Sequence, residues 1–147
     1  MGQQQLLLIV LGVIIVGIAI AVGISMFRSN AQSSNRDQVI NDLNNLAAKG
    51  QQYFRKPTSM AGGGQSFVGF ALAPVDTGNA NGSYSISTGA SAPTGATFVA
   101  GLNDTNTTNA NVLYIVGCGK ELGNDGTNPV KAYAIDSANS VTVRVLN

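Results

Sequence analysis

Gly117-Cys118-Gly119-Lys120-Glu121-Leu122-Gly123 is the stretch where a glycine-rich backbone could approach a phosphate with a lysine beside it. The spacing fails. A Walker loop needs Gly at 114 and Ser or Thr at 121, where Tyr114 and Glu121 stand. A dinucleotide fingerprint needs Gly at 122, where Leu122 stands. The stretch is read instead as a glycine-bearing turn after a strand. Calcium loops converge oxygens from alternate positions, and two segments imitate that spacing. Thr77, Asn79, Asn81 and Gly82 lack the leading Asp and have Thr88 where the closing Glu belongs, while Asp104, Asn106 and Thr108 lack the Gly. Both read as solvated loops. Cys118 is the only Cys and the chain has no His, so a His-based triad, a Cys/His zinc centre and an internal disulfide are excluded for one copy. At the end of an apolar strand its thiol reads as a small buried hydrophobe. No catalytic residue, cofactor or metal site is read. Asn81, Asn103 and Asn106 each open a formal glycosylation sequon.

What the chain does offer lies in its elements. It has 147 residues, 10% of them charged, with a net charge of +1, which leaves no basic field for nucleic acid and no specific nucleic-acid site. Apolar residues are concentrated at one end: every residue from Leu6 to Ile24 is Leu, Ile, Val, Ala or Gly, and the first charge is Arg28. As a helix these residues rise about 28 Å, close to the roughly 30 Å of a bilayer core. A cleaved secretory signal would carry a basic start and a shorter apolar run. Met1-Gly2 does not open a myristoylation signal, because Leu6 stands where Ser or Thr is needed.

The helical pattern continues beyond this span. Val39, Leu43, Leu46, Gly50, Tyr53 and Phe54 recur at steps of three and four, which places one apolar stripe on a helix. No Pro precedes Pro57, and the Gly62-Gly63-Gly64 run that follows it must break the helix. Arg55 and Lys56 fall in the last turn, where cations answer the helix dipole. One helix of about fifty residues is predicted, roughly 80 Å long, apolar all round in its first half and on one stripe in its second. From Gln65 onward short β-branched and aromatic runs alternate with turn residues. Strands are predicted at Ser66 to Leu72, Ser83 to Thr88, Ala96 to Gly101, Val112 to Cys118, Lys131 to Asp136 and Val141 to Leu146. The last alternates Val141, Val143 and Val145 against Thr142 and Arg144 and should be half buried. The predicted fold is therefore α+β, a long N-terminal helix packed on a C-terminal antiparallel β-sheet head. Val39, Leu43, Leu46 and Phe54 supply the second layer of its core. The organisation reads as residues 1–56 helix, 57–65 glycine-rich linker and 66–147 head.

Residues 1–56 resemble a type IV pilin. Met1-Gly2-Gln3-Gln4-Gln5-Leu6-Leu7-Leu8-Ile9-Val10 is similar to that family's mature start, an apolar helix whose fifth residue is usually Glu. In the preferred frame Met1 is the mature first residue and Gln5 takes the Glu position. In a second frame Gly2 precedes the peptidase cut and Gln3 starts the mature chain. The resemblance departs from the family at Gln5 and at Gly17 and Gly23, where many members place a helix-breaking Pro. Beyond residue 56 it rests on architecture alone.

The resemblance implies a structural subunit of an extracellular type IV pilus-like filament, made first as a membrane-anchored precursor. Met1 and Gln5 would serve processing and assembly. Leu6, Leu7, Leu8, Leu11, Ile14, Ile15 and Ile18 would lie in the filament core. The implied partners are other copies of the chain, the membrane before assembly, a prepilin peptidase and the assembly machinery. Arg28 and Arg36 follow the span and no cation precedes it, so the resemblance also implies a basic leader before Met1. Two alternatives remain open: a type II secretion pseudopilin, and a bitopic membrane protein whose head binds a ligand.

Overall fold

The computed structural model describes residues 2–87, 92–93 and 109–147. One helix, α1, runs unbroken through Gly2–Arg55, 54 residues or about 80 Å. It packs on a four-stranded antiparallel sheet of β1 (Gly82–Ser87), β2 (Val112–Leu122), β3 (Pro129–Ser137) and β4 (Ser140–Val145), in spatial order β1-β2-β3-β4. The architecture is α+β.

Pro57 ends α1, and the following glycines turn back on it. The N–H groups of Gly63, Gly64 and Gln65 donate to the carbonyls of Tyr53, Lys56 and Phe54 at 2.8, 2.9 and 2.8 Å. Gly64 and Gln65 hold φ of +58° and +68°, the left-handed region that lets a chain reverse at a helix end. Residues 57–65 thus cap the helix by backbone groups rather than trailing from it.

The register sets which side chains face α1. Ile86, Ile115, Ala134 and Val143 form one row across the sheet, and Tyr84, Gly117, Ala132 and Val145 form the next. Against these rows α1 lays Val39, Leu43 and Ala47, each fully buried, with Leu46 5% exposed and Tyr53 and Phe54 packed at the margin. Small residues on both sides let the layers approach. A Cβ on Gly117 would stand 3.0 Å from Val39 Cγ1, and one on Gly50 would stand 2.5 Å from Asp136 Oδ2 and 2.9 Å from Leu113 Cδ2. Asn35 also fills the space beside Gly119.

The strand expectations need three corrections. Ser66 to Leu72 is no regular strand: Gly69 at φ +88° and a bond from Phe70 N–H to Phe67 O make a turn that drives both aromatic rings into the core. Phe67 stacks on Phe54 at 4.7 Å between centroids, and Phe70 meets Tyr53 edge-on at 5.5 Å. The Gly117-Cys118-Gly119-Lys120 run is not a turn but the middle of β2, which continues to Leu122 across a register shift. Its glycines are there because that face must meet the helix closely. β4 is less buried than its alternation suggests, since it is an edge strand and only Val143 reaches the core. Ala96 to Gly101 and Thr88 lie outside the described residues.

Replacing Gly50 with Ala should destabilise the protein by about 1–3 kcal/mol through overpacking against Asp136 and Leu113, although Ala favours a free helix by about 1 kcal/mol. Gly17→Ala, whose added carbon meets nothing within 4 Å, should leave head stability unchanged. Urea unfolding of the full chain in non-ionic detergent reads both. A Gly50→Ala variant as stable as the parent would contradict the close approach.

Candidate functional site

The largest unsatisfied feature is the first half of α1. The big apolar side chains between Leu6 and Phe27 are all exposed, from 49% at Leu11 to 76% at Phe27, and they cover the helix on every side. Leu6, Leu7, Leu8, Leu11, Ile14, Ile15 and Ile18 all belong to this surface. By length and composition the helix can cross a membrane, with a mean hydropathy of 3.2 over its most apolar eighteen residues and none of them buried. Burying one such side chain is worth about 1.5–3 kcal/mol, so the segment has on the order of tens of kcal/mol to gain by leaving water. Gly12, Gly17 and Gly23 leave open notches along it. Gln5 is exposed in the first turns, and Met1 lies outside the described residues.

The helix changes character at Arg28 without a break, and polar contacts then fix the head on it. Asn35, 8% exposed, donates through Nδ2 to Asn81 O at 2.9 Å and accepts from Glu121 N–H at 3.4 Å. Asp42 accepts from Tyr84 Oη–H at 2.6 Å, Asn79 Nδ2 at 2.7 Å and Asn81 Nδ2 at 3.2 Å. Burial raises the Asp42 pKa, but these three donors outweigh it and hold the carboxyl below its ordinary value. Lys49 Nζ meets both oxygens of Asp76 at 2.6 and 2.7 Å. With Lys49 half exposed, that pair adds little stability. Val39, Leu43 and Leu46 lie beneath the sheet between these contacts, and Phe54 packs at the end of the row.

Asp136 differs from the others. It is fully buried on β3, facing Gly50; Oδ1 accepts from the Gln51 amide, which also donates to Ser137 O, and Oδ2 has no partner. Burial pushes its pKa up to about 6 against the opposing hydrogen bond from Gln51. Sequence reading missed Asn35, Asp42, Gln51 and Asp136. Asn35 has a legible signal, because it lies one helical step before Val39 on the same stripe.

The other sequence candidates resolve into local structure. Asn79 Oδ1 accepts from the backbone N–H of Asn81 and Gly82 at 2.8 and 3.0 Å, so it closes a turn. Asn81, a sequon residue, has its Nδ2 engaged with Asp42. Asn103, Asp104, Asn106 and Thr108 lie outside the described residues. Among the described residues no group of three or more His, Cys, Asp or Glu side chains could hold a metal ion. Burial raises the Cys118 thiol above its ordinary pKa, with Lys131 acting the other way, which opposes nucleophilic use. Comparison with protein-family models, with curated proteins and with solved structures gives no match for this chain.

Because folded Asp136 holds its proton more tightly than the unfolded chain, its contribution is most favourable below about pH 4 and is lost as pH rises through about 6. The loss should amount to on the order of 2–3 kcal/mol. Asp42 acts with the opposite sign, its carboxylate favouring the fold above its unfolded pKa. The stability difference between the parent and Asp136→Asn isolates the first effect. It should shift in favour of the variant between pH 4 and pH 6, and a difference independent of pH in urea melts would contradict the burial argument.

Proposed function

We propose that the chain is a structural subunit of an extracellular type IV pilus-like filament, held in a membrane by the first half of α1 before assembly. The observation that carries this reading is one rigid element with two surfaces. Residues from Leu6 to Phe27 expose apolar side chains on every side, and the same helix then forms the inner layer of the head. A rod so built can pass from lipid to a bundle of like helices without refolding, exchanging lipid contacts for apolar contacts while its head stays outside. The glycine notches suit close helix approach in that bundle. Gln5 also supports the reading. Its amide oxygen can accept a hydrogen bond from a neighbour's terminal amine, where an unpaired charge would be costly.

Electron microscopy of material sheared from the surface of cells making the protein should reveal filaments whose main component is this chain. Leu11→Asp or Ile15→Asp should abolish the filaments, because a carboxylate in the bundle has no water and no partner. A fragment beginning at Ser29 should remain folded, soluble and monomeric, since it keeps every helix residue that contacts the sheet. Unchanged filaments from Leu11→Asp would overturn the core assignment. Absence of filaments together with a head that stays cytoplasmic by protease protection would overturn the reading itself.

A further inference from the structure

At the far end of α1 from its apolar half, Lys49, Gln52, Tyr53 and Lys56 recur at steps that place them on one helix face. With Arg55 and with Ala61 of the returning loop they line an open cleft of about 570 Å³. That size suits a small ligand or one unit of a polymer. Three of the chain's eight Lys and Arg residues meet here, in a protein only 10% charged, and among the described residues no acidic side chain lines the cleft. Lys49 is held by Asp76 just outside it, while Arg55 and Lys56 have no ion pair among the described residues.

A helix end ordinarily accounts for such cations through its dipole. Here the carbonyls of Tyr53, Phe54 and Lys56 already receive N–H groups from Gly63, Gln65 and Gly64. The backbone loop does the work that Arg55 and Lys56 were expected to do, and both residues line the cleft, Arg55 on the edge it shares with a second groove beside Gln51 and Val141. Its wall is also fixed. Tyr53 donates its hydroxyl to Val68 O at 3.0 Å and rests edge-on against Phe70, so the ring does not rotate freely in the opening. A bare anion would use the cations and leave the aromatic wall idle. A sugar carrying a carboxylate would use everything present: two cations for the acid, the exposed Gln52 amide for hydroxyls, and the ring for an apolar C–H face.

We propose that this cleft binds an acidic sugar, a uronate unit of an anionic polysaccharide, with Arg55 and Lys56 holding the carboxylate and Tyr53 bearing the sugar ring. Arg55 presents a planar fork that matches a carboxylate, and Lys56 adds a second charge beside it. The site is complete in one subunit and does not depend on assembly. Calorimetry of the full chain in non-ionic detergent at low salt, with trigalacturonate, its methyl ester and pyrophosphate as probes, tests it. Trigalacturonate should bind, and its uncharged methyl ester should bind at least about tenfold more weakly. Arg55→Gln with Lys56→Gln should weaken trigalacturonate binding by a similar factor, while Lys120→Gln, which removes a charge outside the cleft, should not. Unchanged helix content by circular dichroism shows that the variants are folded. No binding of trigalacturonate, equal binding by the double variant, or tighter binding of pyrophosphate than of trigalacturonate would each overturn the proposal.

Discussion

The structure depends on the contact between the second half of α1 and the helix-facing rows of the sheet. Strands β1 to β3 turn Tyr84, Ile86, Leu113, Ile115, Ala132 and Ala134 to one side, where α1 packs together with Phe67 and Phe70. A sheet of this size has no second layer of its own, so it cannot bury that side without the helix. The helix in turn is one unbroken piece from Gly2 to Arg55. Docking the sheet on its second half therefore fixes the direction in which the apolar first half leaves the head. Head and stalk are mechanically one body, and whatever surrounds Leu6 to Phe27 also orients the sheet.

Close approach makes that contact possible and also constrains it. Gly50 and Gly117 remove side chains where the layers meet, and Gly119 makes room for Asn35. The gain is dense packing around Val39 and Leu43; the cost is that polar groups caught in the seam must find partners there. Asn35 and Asp42 do so, bridging the helix to the start of β1. Asp136 does so only in part, with one oxygen bonded to Gln51 and the other without a partner. A neutral carboxyl would relieve that position, which is why its preference for a proton and the narrow gap at Gly50 have a common origin.

Much of the architecture was legible because it rests on periodicity. Nineteen residues without a polar side chain, then a stripe at three-and-four spacing, identify the two halves of α1 from the sequence alone. β-branched runs locate β1 to β4 within a few residues. The misreadings arose where the local pattern was silent about tertiary demand. Gly117 and Gly119 look like turn residues until the helix above them is known. Phe67 and Phe70 look like strand residues, yet a turn at Gly69 sends both into one core. Val141 and Val145 alternate as half-buried residues do, but nothing in their spacing reveals that β4 is an edge. The polar seam was the least legible part, since Asp42, Gln51 and Asp136 are common residue types whose partners lie 42 and 85 positions away.

In the proposed filament the apolar half of α1 ends among copies of itself. Pulsed dipolar spectroscopy on surface material carrying a nitroxide at Ile15→Cys, in a Cys118→Ser background, measures this directly. Strong inter-subunit coupling is expected, at distances set by helices packed about 10 Å apart, together with its loss on dilution with unlabelled subunits. Isolated spins at Ile15 in material that is otherwise assembled would contradict it.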